Sequence, residues 1–131
     1  MNNQEFEKIF SPTTIGNIQL ENRLIMAPLT RSRSDDQGLA NELMATYYSQ
    51  RATAGLIISE ATNISSYAYG YAKTPGIYTK EQVKSWKQVT DQVHKHNGKI
   101  ICQLWHCGRI SHYSLMPNED KPLSASAIKA D

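Results

Sequence analysis

Leu56-Ile57-Ile58, set between Gly55 and Ser59-Glu60-Ala61-Thr62, is the stretch that decides the fold, because two further runs repeat its character. These are Leu24-Ile25-Met26-Ala27 before it and Ile100-Ile101-Cys102 after it. None alternates apolar with polar residues, so none reads as a strand with one wet face. Short continuous runs rich in β-branched residues are the signature of strands covered on both faces, as in parallel sheets, and each run is too short for a buried helix.

Helical patterns lie between the runs. From Asn41 to Thr53 the residues Leu43, Met44, Tyr47, Tyr48 and Ala52 recur at three-to-four spacing, with Gly55 as the expected stop. Thr79 and Gln82 have capping-box spacing, and Val83, Trp86, Val89 and Val93 then form one apolar face that Gly98 ends. The order strand, helix, strand, helix, strand predicts βαβ units with right-handed crossovers. Upstream, Ile15-Gly16-Asn17-Ile18 predicts a short β-hairpin capping the N-terminal end of the sheet.

A closed eight-stranded barrel and an open doubly wound sheet both use this order. A dinucleotide-binding sheet carries a glycine-rich turn after its first strand, whereas Pro28-Leu29-Thr30-Arg31 has no glycine. The barrel is therefore favoured. The expected fold is α/β: the first three β/α units of a (β/α)8 TIM barrel, preceded by the hairpin, with residues 1–131 as the N-terminal part of one domain. A full barrel takes about 250 residues, so this one is incomplete.

The chain is 40% hydrophobic and 20% charged, and its net charge of +2 is too small to argue for nucleic acid or an anionic membrane as partner. No stretch approaches the roughly 20 apolar residues of a membrane helix. Met1 to Phe10 lacks the pattern of a signal peptide, which makes the cytoplasm the expected compartment and free thiols the reading for Cys102 and Cys107.

Barrel chemistry sits on the loops that follow the strands. Those segments are Pro28-Leu29-Thr30-Arg31-Ser32-Arg33, then Glu60-Ala61-Thr62 with the tyrosine-rich loop from Tyr67 to Tyr78, then Gln103-Leu104-Trp105-His106-Cys107-Gly108-Arg109. Alone, Thr30 reads equally well as a cap or turn residue, and Trp105 as core. Arg31, Arg33 and Arg109 read as salt-bridged or solvated rather than catalytic. Gln103 is more informative, because an amide on an apolar run costs roughly 1–3 kcal/mol unless it is hydrogen-bonded. The histidines and cysteines from His94 to His112 match no zinc spacing, and His94 and His96 point to different sides of a helix. Neither a nucleophile elbow nor a phosphate-binding Gly-x-x-x-x-Gly-Lys occurs. What remains suits a planar ligand with polar edges.

The strand ends closely resemble those of the Old Yellow Enzyme family of FMN-dependent NAD(P)H oxidoreductases, nearest to its bacterial N-ethylmaleimide reductase branch. Four stretches carry the resemblance: 24–33, 55–62, 70–78 (Gly70-Tyr71-Ala72-Lys73-Thr74-Pro75-Gly76-Ile77-Tyr78) and 103–109. The resemblance implies FMN as cofactor, NAD(P)H as reductant, and reduction of activated C=C bonds in α,β-unsaturated carbonyl or nitro compounds. It also implies that Ala27, Pro28 and Leu29 lie along the flavin ring, that the Thr30 hydroxyl bonds the flavin O4, and that Ala61 lies near the N5–O4 edge. The Gln103 amide would pair with the pyrimidine edge, and Tyr71 and Trp105 would line the substrate pocket. The family's substrate-anchoring pair, tyrosine proton donor and phosphate-binding loops lie on later strands. No catalytic residue is therefore expected within this chain, which should be inactive alone. The alternative is a non-catalytic piece that binds flavin weakly or completes a barrel with another chain, such as the missing C-terminal part.

Overall fold

The three apolar runs form one parallel sheet in a computed structural model that describes residues 3–130. Strands β3 (Ile25–Met26), β4 (Leu56–Asn63) and β5 (Ile100–Trp105) lie side by side in that order. Parallel neighbours require a return crossing, and helices α2 (Glu42–Ser49) and α3 (Lys80–Lys95) supply it. Ahead of them stand helix α1 (Asn3–Ile9), which the sequence pattern did not suggest, and the hairpin of β1 (Thr13–Ile15) and β2 (Ile18–Leu20). Its loop is Gly16-Asn17, with Gly16 at φ +56°, a conformation that suits glycine and the twist of a two-residue hairpin.

Helix α2 starts where Asn41 accepts a hydrogen bond from the Met44 N–H and ends at Ser49, four residues before the expected Thr53. The chain then tightens into turns, with Ala52 N–H donating to the Ser49 carbonyl. Met44, Ala45 and Tyr48 are buried while Leu43 is exposed, so the apolar stripe departs from the expected one at that residue. Gly55 is no helix stop. Its N–H donates to Asn22 Oδ1 at 2.8 Å, and a Cβ there would collide with the Asn22 carbonyl, so glycine is needed for close approach at the start of β4.

Both halves of the capping box on α3 are present: Thr79 Oγ1 accepts from Gln82 N–H, and Gln82 Oε1 accepts from Thr79 N–H. The buried face is Gln82, Trp86, Val89 and Val93, with Val83 exposed. At the far end Asn97, not Gly98, takes the left-handed backbone. Gly98 is required for space, since a Cβ would stand 2.8 Å from both Ala52 and Val93.

The core lies between the helices and the sheet: Ala40, Met44, Ala45, Tyr48 and Ala52 meet Trp86, Val89 and Val93 over Ile57. Strand β4 is nearly all buried, as a strand covered on both faces should be. The flanking strands are not, and Ile25, Ile101 and Leu104 stay exposed, because each of those strands has one neighbour here instead of two. Two strand–helix–strand crossovers are complete. After β5 the described chain continues in three 3₁₀ turns (108–110, 113–115 and 117–119) and no α-helix follows among the described residues.

Candidate functional site

Strands β4 and β5 both extend beyond their apolar runs. Ala61, Gln103 and Trp105, which read in the sequence as positions just past the strands, are strand residues. Ala61 stands directly opposite Gln103, Thr62 opposite Leu104, and Asn63 opposite Trp105.

A bulge creates that alignment. Ile58 faces Ile101, yet the next pair is Ala61 with Gln103, so β4 takes three steps while β5 takes two. The Ser59 hydroxyl fills the break by accepting from the Gln103 N–H at 3.1 Å. Ile57 packs on Tyr48 in the core and Glu60 hydrogen-bonds Tyr48, so both face the helical layer although three residues apart. Strict alternation forbids this, and the bulge supplies the missing half-turn. Ala61 is thereby delivered to the opposite face.

Glu60 is fully buried. Its Oε1 accepts from Arg31 Nη2 at 2.6 Å and from the Tyr48 hydroxyl at 3.0 Å, and its own N–H donates to that hydroxyl at 2.7 Å. Burial, with the Glu60 charge beside it, pushes the Tyr48 hydroxyl far above its ordinary pKa. The Arg31 guanidinium lies 3.4 Å from the Tyr47 ring centroid, and Arg51 lies 3.7 Å from it, one on each face. Arg31 is thus salt-bridged, as weighed from sequence. Its buried partner Glu60 is the residue that sequence reading passed over. The available signal was an acid inside Leu-Ile-Ile-Ser-Glu-Ala-Thr, a strand otherwise fit for burial.

The tyrosine-rich loop is tied back onto the strand ends. Asn63 Nδ2 donates to Thr74 Oγ1 and to the Pro75 carbonyl, at 2.9 and 3.0 Å. Cys107 N–H donates to the Ala68 carbonyl, Ser111 Oγ to the Tyr69 carbonyl, and a Cβ on Gly70 would collide with Cys107 Sγ. Burial pushes the Cys107 thiol up. These contacts set Tyr71 edge-to-face against Trp105, with ring centroids 5.7 Å apart. Trp105 Nε1 is buried and has no acceptor among the described residues.

The structure therefore brings Ala61 and Gln103 into register, and Tyr71 against Trp105. Thr30 follows β3 and is joined to the same level through its neighbour Arg31 and the Glu60 carboxylate. Ala27 and Leu29 are exposed beside it. The Thr30 hydroxyl and the Gln103 side-chain amide make no hydrogen bond to another described residue, which leaves a hydroxyl, an amide donor and an amide acceptor for a ligand edge. That set fits a flavin ring. Clefts of about 630 and 550 Å3 flank these residues, the first along Phe10, Leu24, Ile25 and Leu29 and so bordering the candidate site, the second between His106–Ile110 and Leu123–Ala125. Among the described residues no group of three His, Cys, Asp or Glu side chains could hold a metal, and no helix is long and apolar enough to cross a membrane.

In parallel α/β folds the carboxyl ends of the strands form the ligand-binding edge, and this sheet aligns uncommitted polar groups there. The chain belongs to the NADH:flavin oxidoreductase / NADH oxidase family, whose model matches residues 8–131, and FMN and NAD(P)H are that family's cofactors. It is 44% identical over 119 residues to 12-oxophytodienoate reductase 1 of Oryza sativa subsp. japonica, covering 90% of this chain and 31% of the relative. It is also 44% identical over 127 residues to the NADP-dependent oxidoreductase lnbE of Aspergillus flavus, covering 95% and 34%. Among solved structures, morphinone reductase in complex with tetrahydroNAD superposes with a TM-score of 0.90 at 51% identity, over 94% of this chain and 34% of that one. The old yellow enzyme homologue from Zymomonas mobilis gives 0.89 at 43%, over 95% and 34%. The chain spans about a third of the length of these relatives.

Proposed function

We propose that residues 1–131 form the first three strands of an eight-stranded, FMN-dependent ene-reductase barrel and carry the ring-binding half of its flavin site. The reading rests on one observation: Ala61 and Gln103 stand opposite each other at the strand ends, with the Gln103 amide uncommitted. Ala27, Pro28 and Leu29 offer a flat, largely apolar surface to the ring. Thr30 donates its hydroxyl to the flavin O4, Ala61 approaches the N5–O4 edge, and Gln103 pairs an amide donor and acceptor with the pyrimidine edge. Tyr71 and Trp105 wall the substrate space and exclude water from it. FMN, when bound, carries hydride from NAD(P)H to the β-carbon of an α,β-unsaturated carbonyl or nitro compound.

The groups that would anchor the substrate, donate the proton and grip the flavin phosphate come from the rest of the barrel, so this chain holds no catalytic residue of its own. Exposed Ile25, Ile101 and Leu104 on the two flanking strands support a sheet that continues on both sides. The setting is the cytoplasm, where NAD(P)H is supplied.

The test joins this chain in frame to the part of morphinone reductase that it does not match. The expected product holds one FMN per chain and oxidises NAD(P)H in the presence of 2-cyclohexenone. A folded product that takes up no FMN, or that holds FMN and leaves the alkene untouched, contradicts the proposal. The 131-residue chain by itself is expected to purify without stoichiometric flavin.

A further inference from the structure

We propose that the Arg31–Glu60 pair, whose carboxylate is fully buried, is a positioning device that holds Thr30 and Ala61 at one level, a role that rests on the flavin reading above. Arg31 directly follows Thr30, and Glu60 directly precedes Ala61. One ion pair therefore joins the immediate neighbours of two ring-facing residues, Thr30 in the loop after β3 and Ala61 on β4.

That tie has little company. The β3–β4 ladder ends at Met26 opposite Ile57, four residues before Thr30. From Pro28 to Arg33, the one polar link to β4 among the described residues is Arg31 Nη2 on Glu60 Oε1. The segment also carries backbone strain, since Ser32, immediately after Arg31, sits at φ +53°. A non-glycine residue persists there only where its surroundings over-determine it. Asn41 Nδ2 on the Arg33 carbonyl at 2.7 Å fixes the far side of that strained residue, and the ion pair fixes the near side.

Geometry explains why the link is ionic rather than greasy. A hydrophobic pair could stabilise a buried site as well, but it would not set a direction. The guanidinium is held between its contact over the Tyr47 ring and its bond to Glu60, so Arg31 has little freedom left. At the other end, Glu60 sits inside the bulge with its N–H on the Tyr48 hydroxyl and its carboxylate beneath that same hydroxyl. Moving the carboxylate would move the bulge, and the bulge sets where Ala61 falls against Gln103.

The experiment uses the flavin-loaded barrel made with the morphinone reductase segment. Arg31→Met combined with Glu60→Gln removes both charges without leaving one unpaired. Arg31→Lys keeps the charge but loses the planar guanidinium over the Tyr47 ring, and it carries the test should the double variant fail to fold. Readouts are the FMN dissociation constant, the flavin's visible absorption bands and its midpoint potential. The double variant is expected to weaken FMN by up to about tenfold, as for the loss of the Thr30 hydrogen bond to the ring. It should move the bands and the potential in the direction that Thr30→Ala moves them, with Arg31→Lys between the two. Introduced into Thr30→Ala, it should move the potential by clearly less than it does in the parent, because part of its effect passes through Thr30 and the rest through Ala61.

Variants that melt lower but keep the parent's bands, potential and FMN affinity would show a structural role and overturn the proposal. So would potential shifts that add in full to that of Thr30→Ala. A parent barrel that takes up no FMN would fail the flavin reading and this proposal together, which separates that result from silent variants in a flavin-loaded parent.

Discussion

Replacing Tyr48 by phenylalanine removes one oxygen from the molecule and, on this structure, two hydrogen bonds. The hydroxyl donates to Glu60 Oε1 at 3.0 Å and accepts from Glu60 N–H at 2.7 Å, and the side chain is 1% exposed. Glu60 lies in the bulge, so its N–H has no ladder acceptor to fall back on. A buried donor left unpaired costs about 1–3 kcal/mol, and a carboxylate losing one of two donors adds about 1 kcal/mol, which places Tyr48→Phe at about 2–4 kcal/mol. Phenylalanine fills nearly the same volume, so packing changes little. Trp86 reports locally, with its ring centroid 6.2 Å from that of Tyr48. Urea unfolding followed by tryptophan fluorescence should show a lower midpoint with an unchanged slope. Tyr47→Phe is the control, because the Tyr47 hydroxyl bonds no other described residue and its ring, stacked between Arg31 and Arg51, is retained. Equal midpoints for the Tyr48 variant and its parent would refute the network. So would equal losses in the two variants.

Alkaline pH probes the same hydroxyl. Its folded pKa lies above the unfolded value of about 10, so the folded state keeps the proton longer and stability falls as pH rises past 10; Tyr48→Phe should flatten that fall in a pH series of unfolding midpoints. Tyr69, raised by burial and by the Tyr78 hydroxyl, contributes a residual slope of the same sign that the Tyr48 variant retains. Thr79→Ala breaks the capping box at the start of α3 and should cost about 1 kcal/mol in the same urea assay. Gly70→Val forces a side chain into Cys107 Sγ; the two loops should part, and thiol-reagent labelling of Cys107 should quicken against the parent.

The architecture was legible because its signals are local and strong. The apolar runs gave three strands in the right order, Thr79 and Gln82 marked the start of α3, and Gly16-Asn17 marked the hairpin turn. Strand ends were read short, since Ser59, Glu60 and Gln103 look like loop chemistry while their backbone stays in the ladder. Each helix face was read correctly but for one residue: Met44, Tyr48, Trp86, Val89 and Val93 are buried as expected, whereas Leu43 and Val83 are exposed and Ala45 and Gln82 are buried instead. Gln82 in particular is buried because it satisfies backbone groups at Tyr78, Thr79 and Gln37, a role no hydrophobic pattern reveals. Of the candidate site, Thr30, Ala61, Gln103, Tyr71 and Trp105 were all named from sequence, with their proposed roles drawn from family resemblance. The bulge that aligns Ala61 with Gln103, and the Arg31–Glu60 pair beneath it, depend on contacts between strands about thirty to forty residues apart and so were invisible there.

In the proposed flavin site this chain supplies the polar edge contacts of the ring, and Gln103 carries the largest share of them. The most direct measurement is an FMN titration, read by quenching of flavin fluorescence, of the barrel completed with the morphinone reductase segment and of its Gln103→Leu variant. The parent should hold one tightly bound FMN per chain, and a variant that stays folded should bind it roughly tenfold to hundredfold more weakly, as for two lost hydrogen bonds. Equal affinity in the two proteins would contradict it.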